Sequence, residues 1–328
     1  MENNFDVDLT EQNSLKLRSV AKNYIEFTKP DELKSIRNNF FLRGIKIYVI
    51  GDGTNSIFPR KFNGLVLKHS GKKIEVTNKT RETVEIKVDS GVNWENLIDF
   101  CIENQFYGLE NLAGIPGSAG AAPIQNIGAY GVEISEFIDE VEFFSFPSNE
   151  IKKFSNKECA FSYRHSIFKK MEDFVISSIK LKLKLSFKPN LKHEDLMKSE
   201  PRTANELVNK IRKIRSKKIP DPRSFPNVGS FYKNPIISNE KYIKIRSLGK
   251  IKKYQHGNNW KISAASLIDS LGFKGSCIAN VGISNNHGLV LVNRGISSFK
   301  DIHEFDDKIR RIIKETYNIS LETEPSYL

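Results

Sequence analysis

The chain has 328 residues, of which 39% are hydrophobic and 27% charged, an ordinary soluble composition with length for two or three packed units. No apolar run approaches the ~20 residues that span a bilayer, and the acidic, polar start MENNFDVDLTEQN lacks the pattern of a secretory leader. The net charge of +12 is spread along the chain without an interleaved aromatic platform, which argues against nucleic acid and leaves compositional drift or a small polyanionic ligand. Cys101, Cys159 and Cys277 are far apart and odd in number, and the six histidines are scattered. Neither a disulfide framework nor a metal site is expected, and reduced thiols fit a cytoplasmic protein.

In chain order, Pro30-Asp31-Glu32-Leu33 signals a short helix. Ile45–Ile50 (IKIYVI) reads as a buried strand that stops at Gly51-Asp52-Gly53-Thr54-Asn55-Ser56. This turn could be a phosphate nest or a plain hairpin turn; it lacks the third glycine of a dinucleotide fingerprint and the lysine of a P-loop. GKKIEV and TVEIKVDSG alternate as half-buried strands do. Residues 93–104 carry Trp94, Leu97, Ile98, Cys101 and Ile102 on one face, which predicts an amphipathic helix.

The segment 108–134 (GLENLAGIPGSAGAAPIQNIGAYGVEI) has five glycines between Gly114 and Gly131 and little bulk. It cannot build a core, but its backbone can approach a ligand closely and present N–H groups to an anion. EVEFFSF and FVISSIKLKLKL read as strands flanking SYRHSIFK (162–169). Thr203 and Glu206 form a capping box for a helix with Leu207, Val208, Ile211 and Ile214 inward. The basic run Lys210–Arg223 supplies mostly its outer face until Pro220 and Pro222 break it. After NVGSFYKNP come a short helix over 263–271, the strand GLVLVN and an amphipathic helix over 299–317. Phe299, Ile302, Phe305, Ile309, Ile312 and Ile313 of the last point inward.

GDGTNS, the segment 108–134, YRHSIFK, KKIPDP, GSFYKNP and LETE occur in one order over nearly the whole chain. In this the chain resembles the UDP-N-acetylenolpyruvoylglucosamine reductases, flavoenzymes of peptidoglycan precursor synthesis. The resemblance implies an α+β fold: a two-part FAD-binding domain of the vanillyl-alcohol-oxidase type, then an α+β substrate domain. The boundaries expected are 1–68, 69–188 and 189–328. It implies bound FAD, NADPH as co-substrate, and reduction of UDP-N-acetylglucosamine enolpyruvate to UDP-N-acetylmuramate by a cytoplasmic monomer with no metal, nucleic acid or membrane partner.

Carried over by motif, Gly51, Gly53, Thr54, Asn55 and Ser56 with Ile115, Pro116, Gly117 and Ser118 surround the FAD diphosphate, and Ile124, Gly128 and Tyr130 line the flavin or the mouth of the site. Ser230 is the implied proton donor, Arg164 the partner of the substrate carboxylate, and Glu324 a hydrogen-bonding partner of the intermediate, acting in its neutral form. Lys218 faces the diphosphate; Tyr130, His193, Asn234 and His287 are further substrate contacts. His165 stands where the family has Asp, His193 where some members place Tyr, and the segment KISAASLIDSLGFKG lacks the family's bulkier aromatic. A flavin oxidase with another substrate and a nucleic-acid-binding protein are the rival readings.

Overall fold

Thr83–Asp89 reads TVEIKVD, and in the structure, a computed structural model that describes residues 2–328, Val84, Ile86 and Val88 are buried while the residues between them are half-exposed. This strand belongs to an antiparallel five-stranded sheet ordered Glu150–Ser155, Ile138–Ser145, Phe174–Lys184, Thr83–Asp89, Ile74–Lys79. A four-stranded sheet is ordered Asn3–Asp8, Val20–Phe27, Lys61–His69, Ile47–Ile50, and its last pair is parallel.

The chain divides by packing into two units interleaved along the sequence. The first comprises Met1–Val7, Ala21–Asp52 and Asn63–Ser216; the second comprises Asp8–Val20, Gly53–Phe62 and Lys217–Leu328. The first unit holds two apolar clusters. The smaller gathers Ile25, Phe27, Leu65, Leu67, Phe144 and Phe146 under helix α1 (Glu32–Asn39), which inserts Leu33 and Ile36. The larger gathers the inner face of the five-stranded sheet and helix α2 (Trp94–Glu103). Asn93 caps α2, its Oδ1 accepting from the N–H groups of Glu95 and Asn96 at 3.1 and 3.2 Å. Trp94 is fully buried, with Nε1 donating to Leu112 O at 3.0 Å. Helix α3 (Ala204–Lys218) starts with Glu206 N donating to Thr203 Oγ1 at 3.2 Å. The expected reciprocal bond goes instead to Arg202 N, at 2.8 Å from Glu206 Oε2.

In the second unit the strands Asn227–Ser230, Val290–Asn293, Val281–Ile283 and Cys277–Ile278 form one sheet. Ile236–Ile237, Asn259–Ile262 and Lys253–His256 form another, beside helix α4 (Asn239–Ile245). Helix α5 (Ala264–Ser270) and helix α6 (Phe299–Tyr317) pack into one core with Val228, Phe231, Val281, Ile283 and Leu291. Ile302, Phe305, Ile309 and Ile313 of α6 are buried as the periodicity predicts, and so is Asp306, which it does not.

Two expectations are corrected. Ile47–Ile50 is an edge strand with one bonded neighbour, so Ile47 and Tyr48 stay half-exposed and Val49 is 36% exposed. An apolar run alone cannot separate an edge from a centre. The basic face of α3 is not all outward: Arg212 pairs with Glu95 at 2.8 Å and Asp99 at 2.7 Å on α2, and Arg215 is half-buried. Among the described residues, no helix is long and apolar enough to cross a membrane, and no group of three or more His, Cys, Asp and Glu could hold a metal. Cys101 and Cys159 are buried free thiols and Cys277 an exposed one.

His69 is expected to make the first unit acid-sensitive. It is buried, stacks on Phe27 at 4.6 Å, lies 2.5 Å from Ser90 Oγ through Nδ1 and donates through Nε2 to Thr28 O at 3.1 Å. Burial holds its pKa below the ordinary value. As pH falls below about 6.5, the unfolded chain takes up a proton that folded His69 refuses, so stability is lost toward acid. Urea midpoints measured on either side of that pH should fall toward acid more steeply in the wild type than in His69→Gln. Equal slopes would remove His69 from this role.

Candidate active site

Within the first unit, Gly51 and Asp52 meet the glycine-rich segment 108–134. Asn93 Nδ2 donates to Asp52 Oδ2 at 3.0 Å and lies 3.5 Å from Gly117 O, while Trp94 N donates to Gly117 O at 2.8 Å. At Gly51 an added Cβ would sit 2.4 Å from Ser118 Oγ, and at Gly120 it would sit 2.3 Å from Ser90 Cβ. The chain approaches itself closely at both glycines, and Gly51 faces the small side chains of Ser118 and Ala121.

Gly128–Ala129 and Val132–Glu133 pair as a hairpin whose turn residues, Tyr130 and Gly131, have φ of +50° and +81°. This is the backbone of a type I′ turn, in which Tyr occupies a position that Asn ordinarily takes. The cost is about 1–2 kcal/mol, and it places a Tyr ring that is 8% exposed. Burial raises the Tyr130 pKa; Arg215 opposes the rise and Asp195 adds to it. His193 packs edge-on against Tyr130, ring centroids 5.0 Å apart, and its Nδ1 accepts from Asp195 N at 3.2 Å.

Arg164 occupies a tight turn in which Ser162 and His165 exchange both backbone hydrogen bonds at 3.0 Å. Its φ is +51°, and its Nη2 donates to Gly128 O at 2.6 Å. A Cβ at Gly128 would come within 2.9 Å of Arg164 Nη1. The turn is tied to the glycine-rich segment twice more. Ser166 Oγ donates to Ile124 O at 2.7 Å, and buried Asn126 donates to Ser162 O at 3.1 Å and to Glu133 Oε2 at 2.7 Å. Asn126 has φ +48° and its Oδ1 accepts from Ser135 N, so both its amide donors and its oxygen hold the loop.

Arg215 is the cation that composition concealed. Its Nε donates to Gly114 O at 2.9 Å, and a Cβ at Gly114 would meet its Cδ at 2.8 Å. Burial lowers its pKa, Tyr130 and Glu95 oppose that, and Arg164 adds like-charge repulsion. A desolvated guanidinium bonded to a neutral carbonyl favours an anion nearby. Its spacing from Leu207, Val208 and Ile211, on the buried stripe of α3, was the signal that could have found it.

In the second unit the C-terminal segment joins two of the motifs. Glu324 N donates to Phe231 O and Lys233 N to Glu322 O, both at 2.9 Å, around an isolated bridge between Tyr232 and Thr323, so Glu324 runs beside the segment that follows Ser230. Asn55 Nδ2 donates to Glu324 O at 3.2 Å, and Ser326–Tyr327 then pairs in parallel with Ser56–Ile57. Gly53, Thr54, Asn55, Ser56, Ser230 and Glu324 are thereby gathered in one unit. Gly229, φ +66°, turns the strand so that Ser230 is half-exposed. Lys218 ends α3 half-buried. Asn234 Oδ1 accepts from Ala264 N at 2.9 Å at the start of α5, a structural use of that side chain. His287 Nδ1 accepts from Leu289 N at 3.2 Å in the turn before GLVLVN.

Residues 21–155 match the FAD binding domain family, and residues 221–328 match the C-terminal domain of UDP-N-acetylenolpyruvoylglucosamine reductase. A reductase of that name from Shewanella baltica is 35% identical over 319 residues, covering 95% of this chain and 93% of the relative. One from Aliivibrio fischeri is 38% identical over 282 residues, covering 84% and 80%. The chain belongs to the UDP-N-acetylenolpyruvoylglucosamine reductase family. The crystal structure of the reductase from Thermus caldophilus has the same fold, with a TM-score of 0.69 at 21% identity over 99% of this chain and 98% of that one. Membership in this reductase family, with its FAD binding domain, makes the chain an FAD-containing oxidoreductase.

Proposed function

We propose that the chain reduces UDP-N-acetylglucosamine enolpyruvate to UDP-N-acetylmuramate with NADPH as the electron source. It would do so in the cytoplasm as a monomer, without nucleic acid, and serve peptidoglycan synthesis and hence cell shape and division. The observation that supports the reading is the backbone pairing of Glu324 with Phe231, which brings the Ser230 and Glu324 segments side by side, with Asn55 of the Gly53–Ser56 turn bonded to Glu324 O. The residues fit FAD: at Gly51 the backbone approaches Ser118 too closely for any side chain, and the glycines and serine of Gly51, Gly117 and Ser118 would let backbone N–H groups and a hydroxyl hold a diphosphate. Bound FAD supplies hydride transfer between NADPH and the terminal vinyl carbon of the substrate.

Reduction at that carbon builds negative charge on the substrate next to its carboxylate. Arg164, fixed by its turn and by Gly128, offers a preorganised cation for that group. Ser230, half-exposed at the end of its strand, delivers a proton to the adjacent carbon. Glu324 in its neutral form donates to the charge-bearing end of the intermediate. Lys218, as a point charge, and Arg215, as a desolvated one, serve phosphate or carboxylate oxygens. Asn234, His193 and His287 complete the grip.

Turnover with NADPH and the enolpyruvyl ether tests this. The product should be heavier than the substrate by two hydrogen atoms, with one NADPH consumed per product. A flavin-loaded protein that yields no such product would act on another substrate.

A further inference from the structure

Asp306 lies on α6, outside every motif of the family resemblance, and is 2% exposed. Its two carboxylate oxygens are divided between two tyrosines: Tyr232 OH donates to Oδ1 at 2.8 Å, and Tyr327 OH donates to Oδ2 at 3.1 Å. Tyr232 is two residues from Ser230, and Tyr327 is three from Glu324. Between them the backbones pair, through the Tyr232–Thr323 bridge and the bonds from Glu324 to Phe231 and Lys233 to Glu322. The second oxygen also has Arg310 Nη1 at 3.9 Å. A buried carboxylate on a helix, accepting one hydroxyl from each of two paired segments, fixes the spacing of those segments.

We infer that Asp306 is a positioning residue that holds Ser230 and Glu324 in register for proton delivery, acting through Tyr232 and Tyr327. A purely structural carboxylate inside an apolar core would be replaceable by an apolar side chain at little cost. This one has a reason to persist, because the Tyr232 hydroxyl, buried with its ring, needs an acceptor, and the half-buried Tyr327 takes the second oxygen. The catalytic part of the inference rests on the roles proposed for Ser230 and Glu324. The mechanical part does not.

The test uses the flavin-loaded enzyme and two variants, Asp306→Ala and the milder Tyr327→Phe. Amide hydrogen exchange reads the mechanical part. In both variants Glu324 and Lys233 should exchange faster, while amides in Phe174–Lys184 keep their wild-type rates. Unchanged exchange at Glu324 and Lys233 overturns the inference whatever the substrate is. Rapid kinetics read the catalytic part: flavin reduction by NADPH should keep its wild-type rate, and reoxidation by the enolpyruvyl ether should slow roughly 10- to 100-fold. Asp306→Asn, which keeps an acceptor for the hydroxyls, should recover most of the loss. Equal slowing of both half-reactions would mark Asp306 as a general stability residue and overturn the positioning role. Wild-type reoxidation in a variant whose exchange has risen would overturn its link to proton delivery. If the wild type itself is not reoxidised by that ether, the proposed reaction fails, and the exchange data still decide the clamp.

Discussion

Ser230→Ala will leave reduction of the flavin by NADPH at the wild-type rate and slow the return of electrons to the enolpyruvyl ether by about 10²- to 10⁴-fold. The range is that of a positioned general acid removed while its surroundings stay in place. Ser230 is half-exposed and sits at the end of a strand anchored by Phe231 and Tyr232, which are 0% and 1% exposed, so loss of one hydroxyl leaves the core intact. Rapid mixing separates the two half-reactions. Wild-type rates in both would take the proton-donor role from Ser230; a loss in the first alone would mean that the hydroxyl serves flavin or nicotinamide binding.

Gly53→Ala should abolish flavin binding and destabilise the second unit. The φ of Gly53 is +63°, and an added Cβ would stand 1.8 Å from the backbone oxygen of Gln12. Backbone cannot step aside as a long side chain can, so the Gly53–Ser56 turn or the segment around Gln12 must shift. The left-handed conformation costs an alanine about 1–2 kcal/mol, and overpacking adds roughly 1–3 kcal/mol. Gly257→Ala is the control: φ is +54°, but nothing lies within 4 Å of the added atom. It should show the backbone penalty alone and keep its flavin. Urea midpoints and flavin content measure both variants; equal losses would show that the contact with Gln12 is relieved without cost.

Local periodicity made much of the fold legible. The inward face of α6 and the alternation in Thr83–Asp89 follow from spacing, and Asn93 caps α2 because its short side chain can reach two orphan N–H groups. The edge position of Ile47–Ile50 was not legible, since an apolar run does not record how many neighbours it will pair with. The interleaving of the units was hidden for a related reason: Asp8–Val20 and Gly53–Phe62 join partners more than a hundred residues away. Asn293 Nδ2 bonding to Leu15 O is one such link.

For the site, the motif segments were visible but the relations among their side chains were not. Asp306 is silent in sequence because its tyrosines lie 74 and 21 residues away. Arg215 was masked by a run of basic residues, although it falls four residues after Ile211 on the buried stripe. The left-handed backbone at Tyr130 and Arg164 has no marker in residue type, and both positions contradict ordinary preference. Such departures from local preference concentrate where function over-determines the chain.

The visible absorption spectrum of the purified protein, recorded without oxygen, tests the central claim most directly. A flavin band should be present, bleach on addition of NADPH and return on addition of UDP-N-acetylglucosamine enolpyruvate. A band that bleaches and returns only with oxygen would contradict the proposed substrate, and a colourless protein that cannot be reconstituted with FAD would contradict the account as a whole.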